Sequence, residues 1–496
     1  MKRVIFFTAL LFAFTLTKAQ NKNTLLQADF WKQKPNLETV KAEVANGNNP
    51  AEMDARSFDP TTLAINNAAP TDVVTYLVEQ KGNNVAKVTH DSRIYLHWAA
   101  MRGNVEVVQY LLSKGADANT EDSGGNVPIV FAVNGGQKNL AVYDAFFKAG
   151  VDVKKKYKGG ANLLLLAVAN DADLSLTNYF VSKGLSLNDA DADGSTAFDY
   201  AAKSGNIDLL KKLLDKGVKP TANALIFASQ GGRGTAATIE VYKYLVEELK
   251  LKPAYINKSG NNVLHAIVRK PNQDEIIKYF LEKGADVNKI NADGASPLMN
   301  AAAGRNLQVV ELLLPKVKNI NAVNEKGESA LSAAVASGSA EMVALLLEKG
   351  ADANLLDKDG HNLAYLAVEN YRPNNLPNGK DELSEKLNLL KSKGLNISAP
   401  QKDGSTLYHA AIAKLDLNLI KKLSDLKIDI NAKNKEGLTV LHRAALLAKN
   451  EEMLKYLLSL GADKNVKTEF GETAYDLAAE NEFLSKKNIS LNFLKN

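Results

Sequence analysis

The chain has 496 residues, 45% hydrophobic and 24% charged, with 13 prolines and no cysteine. This composition suits a folded, soluble protein rather than a disordered, fibrous or membrane-embedded one, and without cysteine there are no disulfides, thiol catalysis, zinc–thiolate sites or acylated lipoprotein cysteine. A formal charge of +5 over this length gives no argument for nucleic acid or membrane binding.

The first predicted element is a leader. Lys2 and Arg3 precede VIFFTALLFAFTL (Val4 to Leu16), and Thr17-Lys18-Ala19 follows. The apolar run has 13 residues, short of the ~20 that a bilayer-spanning helix needs. Residues 1–19 therefore read as a cleavable secretory signal, with Gln20 first in the mature chain. Its removal leaves 58 basic groups against 56 acidic ones, a charge of +2. An exported chain without cysteine fits a bacterial periplasm, with full secretion as the other destination. No later segment is apolar for long enough to span a bilayer, so no stable membrane insertion is expected after cleavage.

Next comes a short unit from Leu25 to Gly47, with Leu37, Val40 and Val44 at helical spacing. Beyond it, glycines that open helical segments recur at Gly125, Gly160, Gly194, Gly260, Gly294, Gly327, Gly360, Gly404, Gly437 and Gly471. Their spacings are 35, 34, 66, 34, 33, 33, 44, 33 and 34. The 66 is two periods with one degenerate unit between them, and the 44 is one period plus an insertion of about eleven residues. In Ala292 to Leu314, ADGASPLMNAAAGRNLQVVELLL, a turn leads into a short alanine-rich helix. A second turn at Gly304-Arg305-Asn306 leads into a longer helix carrying Val309, Val310, Leu312, Leu313 and Leu314. Alanines let short helices approach closely, and the leucines bury the longer one. Several units close on Lys-Gly-Ala-Asp-x-Asn, as at Lys114 to Asn119, Lys283 to Asn288 and Lys349 to Asn354. The glycine there supplies a left-handed helix terminator.

These residues resemble the ankyrin repeat family, as in DSRIYLHWAAMRGNVEVVQYLLSKGADAN (Asp91 to Asn119) and EGLTVLHRAALLAKNEEMLKYLLSLGADKN (Glu436 to Asn465). The resemblance implies an all-α solenoid of about 14 stacked helix-turn-helix units with β-hairpin fingers. Residues 20–57 would be an N-terminal capping repeat, 58–467 the array, and 468–496 a C-terminal capping repeat and tail. Because one repeat cannot bury its own face, stability accumulates by stacking. At about 8–10 Å per packed helix, the count predicts one curved rod of order 120 Å rather than several domains.

Candidate sites follow in chain order. His97, His265 and His442 occupy the family's T-P-L-H position, where imidazole ties a turn to its neighbour; Tyr408, Met299, Ser332 and Asp199 are read at the same position elsewhere. His90, His361 and His409 share no metal-ligand spacing. KKKYK, comprising Lys154, Lys155, Lys156, Tyr157 and Lys158, sets four cations around an aromatic on a predicted finger tip. These five are the candidate partner-binding residues. DADADG, Asp189 to Gly194, has the alternating carboxylates of a calcium loop, but Tyr200 stands where the bidentate glutamate belongs. It therefore reads as an acidic turn. Gly231-Gly232-Arg233-Gly234 has the glycine density of a phosphate loop without its Gly-Lys-Ser/Thr ending, and reads as a plain insertion. NYRPNNLPNGKDE, Asn370 to Glu382, carries the eleven-residue insertion and suggests a projecting loop.

No catalytic, cofactor-binding or metal residue emerges, so no enzyme activity and no cofactor are expected. The resemblance implies a non-catalytic binding protein that recognises protein partners through a concave groove and finger tips, outside the cytoplasm if the leader is cleaved. KKKYK points to an acidic partner, and the chain is expected to be a monomer. An enzyme or metal- or ligand-handling protein with a site in the groove is the alternative, and an inhibitor or immunity-type binder of a secreted enzyme is a further one.

Overall fold

A computed structural model describes residues 22–231, 237–373 and 381–495. The leader, Gly232-Arg233-Gly234 and residues 374–380 of the insertion lie outside the described residues.

Local sequence punctuates the helices. Asn104 caps Val105–Ser113 by accepting the Val107 amide, and Asp59 caps Pro60–Asn66 by accepting that of Thr62. Proline opens Pro60–Asn66, Pro128–Asn134 and Pro297–Ala302, where its missing N–H costs nothing. Gly115, Gly284 and Gly350 end their helices at φ +86°, +87° and +90°, where a side chain would be strained. Among the described residues these signals yield 28 α-helices in 14 consecutive pairs, in most of which the second helix is the longer. The degenerate unit inside the spacing of 66 is such a pair too. Its helices are Asn223–Gln230 and Ile239–Lys243, the second running into a π-turn at Tyr244–Glu248.

The described chain packs as two compact units. One runs to Ala201 and includes Asp208–Lys219; the other comprises Ala202–Ile207 and Pro220 onward. In the first, Trp31, Val40, Ala99, Ala100, Val107, Val108 and Leu111 are fully buried. Trp31 of the first helix pair donates its Nε1–H to the Leu25 carbonyl at 2.7 Å, so the amino-terminal unit is anchored by an indole. In the second unit, Ala302, Val310, Leu313, Ala334, Val343 and Leu346 are sealed in the same way. The alternation is small residues on short helices and branched ones on long helices.

The fingers differ from expectation. They form no strands among the described residues, where the one bridge joins Ala190 and Thr196. Several fingers are instead tight turns locked by the side chain of their first residue. Asp191 accepts the amides of Asp193 and Ser195 at 2.9 and 2.7 Å on Oδ1, and Tyr200 donates to its Oδ2 at 2.9 Å. Asn291, Asn324, Asp357 and Asn434 repeat the same pair of amide bonds. Asx chemistry satisfies backbone groups that a ladder would otherwise claim. Successive fingers are then joined by single bonds, from the Ala192 amide to the Gly159 carbonyl at 2.9 Å and from the Lys358 amide to the Lys326 carbonyl at 2.8 Å.

The longer helices carry a second recurring link. Tyr110 donates to Glu79 at 2.9 Å, Lys114 lies 3.4 Å from the same carboxylate, and its ammonium sits 5.4 Å from the tyrosine ring centre. Tyr179, Lys183 and Asp144 repeat this within the first unit, and Tyr279, Lys283 and Glu247 within the second. The tyrosine and lysine are four residues apart, hence on one helix face, and the acid comes from the preceding repeat.

Candidate partner-binding surface

The KKKYK segment runs into a finger turn that is tied to the fingers on either side. Asp152 accepts the Lys154 amide at 2.9 Å and starts the turn. Lys155 reaches back to the Asn119 side-chain oxygen at 2.6 Å, and Lys156 reaches forward to the Ala190 carbonyl at 3.2 Å. Tyr157 pairs with Ala161 through its amide at 2.8 Å, closing the turn over Lys158–Gly160. Gly160 is required there, because a Cβ would stand 2.8 Å from the Ala192 amide nitrogen.

Tyr157 is half-buried and its hydroxyl is enclosed, with no hydrogen-bond partner among the described residues. Burial, aided by the Asp152 charge, pushes its pKa up to about 12. The ring thus supports the finger from beneath, with the Lys155 ammonium 5.6 Å from its centre. This differs from the expectation of an aromatic offered freely to a partner, because the ring is half-buried and its hydroxyl enclosed. Lys154, Lys156 and Lys158 remain exposed, and Lys155 is half-buried.

The turn histidines bridge backbone groups on two sides, and one position differs from the expectation. His97, His265 and His442 each accept a backbone N–H at Nδ1, from Ile94, Asn262 and Thr439. Through Nε2 they reach carbonyls of the following finger, those of Asn126, Lys289 and Val466, at 3.0, 3.0 and 2.9 Å. His409, not Tyr408, holds this position in its repeat: it accepts from Thr406 and reaches the Leu438 carbonyl at 3.0 Å. The T-L-Y-H run at Thr406 to His409 carries that signal, one residue beyond the tyrosine. This double duty requires a neutral ring with its proton on Nε2, and burial lowers the pKa of all four. Asp199 and Asp476 perform half the task, accepting the Thr196 and Thr473 amides at 2.8 Å.

The described flanks of the insertion carry an arrangement that periodicity did not foreshadow. Helix Glu382–Ser392 begins at the end of the insertion, and its first residue receives Arg305 bidentately at 2.6 and 3.1 Å. Arg305 belongs to the repeat before last, so the pair passes over the intervening repeat at Ser337-Gly338-Ser339. Lys386, one turn after Glu382, is 7% exposed and donates to the Val335 and Gly338 carbonyls at 2.9 and 2.8 Å. Burial pulls the lysine pKa below its ordinary range, opposed by Glu382 and assisted by Arg305. Gly338 leaves no room for a side chain, since a Cβ would lie 2.5 Å from the Ala302 carbonyl oxygen. Glu-x-x-x-Lys reads in sequence as a surface pair; here it points inward.

Comparisons with known proteins agree with this architecture. A family model described as ankyrin repeats (3 copies) matches residues 31–122, 129–224, 264–357 and 298–376, and one described as ankyrin repeats (many copies) matches residues 423–478. L-asparaginase of Dirofilaria immitis is 30% identical over 144 residues, 29% of this chain and 24% of that protein. Ankyrin repeat and KH domain-containing protein mask-1 of Caenorhabditis elegans is 28% identical over 224 residues, 43% of this chain and 8% of that protein. Alpha-latroinsectotoxin-Lt1a of Latrodectus tredecimguttatus is 26% identical over 330 residues, 61% of this chain and 22% of that protein. The chain thus spans about a quarter or less of the length of these curated relatives.

Proposed function

Since the chain belongs to the ankyrin repeat family, we propose that it is a non-catalytic protein-binding module that acts outside the cytoplasm. The observation that carries the binding reading is the repetition itself. Successive helix pairs are joined by finger turns, several with their backbone satisfied internally, which leaves the outward side chains of those fingers free to vary with the partner. Lys154, Lys156 and Lys158 are the densest such cluster, and they favour an acidic partner surface. The export reading rests on Lys2, Arg3 and the apolar run that follows them.

The test follows from the side-chain geometry. Lys155 supports the neighbouring finger and should be left alone. Lys154→Glu with Lys158→Glu reverses two exposed charges without touching a buried contact. Partners captured from a periplasmic extract by the wild type should be lost by this variant and should weaken as salt screens the charges over about 8 Å. Undiminished capture by the variant would remove the fingers at Lys154 to Lys158 from the binding surface. Mass spectrometry of the exported chain should find Gln20 first; a cytoplasmic chain retaining Met1 would refute export.

A further inference from the structure

The Arg305–Glu382 pair forms one wall of a cleft of about 420 Å³ in the second unit, lined also by Tyr371, Arg372, Lys386 and Lys422. A space of this size receives a side chain or a chain end rather than a helix. Its charges decide what it can hold. Four cations, Arg305, Arg372, Lys386 and Lys422, face two carboxylates, Asp381 and Glu382. Arg305 is paired with Glu382, and Lys422 with Asp381. Among the described lining residues two positive charges remain: Arg372, exposed, and Lys386, buried in the wall.

Lys386 is the informative group. An ammonium has three N–H donors, and two of them are used on the Val335 and Gly338 carbonyls. Carbonyl oxygens fix the ammonium in place without neutralising it, and its nearest carboxylate, Glu382, is already chelated by arginine. A buried cation lacking a dedicated counter-ion is costly, and an incoming anion relieves that cost. The anion must carry modest charge, because Asp381 and Glu382 share the wall and would repel a dianion.

We propose that this cleft binds a single carboxylate of a protein partner, held between Lys386 and Arg372. The proposal rests on the reading of the chain as a protein-binding module and gives that module a second contact, independent of the fingers. The carboxylate can be a glutamate side chain or the carboxyl terminus of a chain, since both present the same planar monoanion.

Direct titration of the purified full chain separates these sources. Three fluorescent-labelled, N-blocked pentapeptides suffice: one with an internal glutamate and an amidated end, one uncharged except for a free carboxyl terminus, and one with glutamine and an amidated end. At least one carboxylate peptide should bind, the glutamine amide should not, and the stronger of the first two identifies the source. Arg372→Ala removes an exposed residue that holds no buried group. It should melt like the wild type and bind up to about fivefold more weakly. Lys386→Met should reduce binding about tenfold or more. Equal binding of all three peptides, no binding by either carboxylate peptide, or full binding by both variants would each overturn the proposal. Because the peptides carry none of the finger contacts, failure here leaves the finger reading standing, and failure of the finger variant leaves this site standing.

Discussion

Two links between repeats, Tyr110–Lys114 on Glu79 and Arg305–Lys386 around Glu382, use similar chemistry in opposite settings. In the first, the lysine and glutamate side chains are 53% and 59% exposed, and the acid belongs to the adjacent repeat. In the second, Glu382 is 10% exposed as a side chain and its arginine partner comes from two repeats away. Water competes for both partners of the first, but in the second it reaches the arginine far more than the carboxylate. A solenoid ordinarily couples only nearest neighbours. The glycine and serines at Ser337-Gly338-Ser339 are small enough for one repeat to be bridged over, and Lys386 ties the bridged repeat's own carbonyls into the link. Burial of the acid, rather than the number of ion pairs, is what separates the two links.

The largest expected effect comes from removing the shared acid of the buried link. Truncating one partner of a buried pair costs ~3–5 kcal/mol; since Arg305 is half-exposed, Glu382→Ala should lose about 2 kcal/mol. Urea unfolding should show this as a lower midpoint, and a midpoint equal to that of the wild type would mean the link is decorative. Glu79→Ala supplies the contrast. It removes the acceptor of both Tyr110 and Lys114, yet the midpoint should stay within experimental scatter, because exposed pairs are weak. If the two variants were equally destabilised, burial would not be what distinguishes the sites.

Between these extremes lie the turn histidines. Their folded pKa values are below the unfolded value of about 6.5, so the folded state binds fewer protons than the unfolded one. Their stabilisation is fully present above that pH and is lost as pH falls below it. Unfolding midpoints should therefore hold near pH 7 to 8 and decline from about pH 6.5 downward. His442→Gln, which can still accept from Thr439 and donate to Val466 but does not titrate, should flatten part of that decline. An unchanged pH profile in this variant would assign the decline to other groups.

The repeat was readable because its punctuation is steric. Gly125, Gly194, Gly294 and Gly437 all sit at φ between +71° and +82°, a region other residues avoid, so their positions survive in the sequence as a ruler. Asp191 was equally readable as a turn residue, from the glycine three positions on and the lack of a downstream glutamate. What escaped notice depends on contacts across the array. A histidine one residue from a tyrosine, as at Tyr408-His409, is resolved only by seeing which ring reaches Leu438. A tyrosine among lysines looks exposed, and only the fold shows its hydroxyl enclosed. Lys386 carried no signal, because its partners are two carbonyls, and carbonyls are not written in side chains.

Gly338, the residue over which the second link passes, bears on how the array would yield to a pull. A stack joined only between neighbours peels from its end one repeat at a time, each release freeing roughly 110 Å of chain. Where Arg305 grips Glu382 across Gly338, the outer repeat cannot leave before the clasp opens, and its release then has to overcome the neighbour-to-neighbour packing as well. That stretch of the molecule has the mechanics of a rivet in a zip: silent while the teeth open in turn, then a single larger rip.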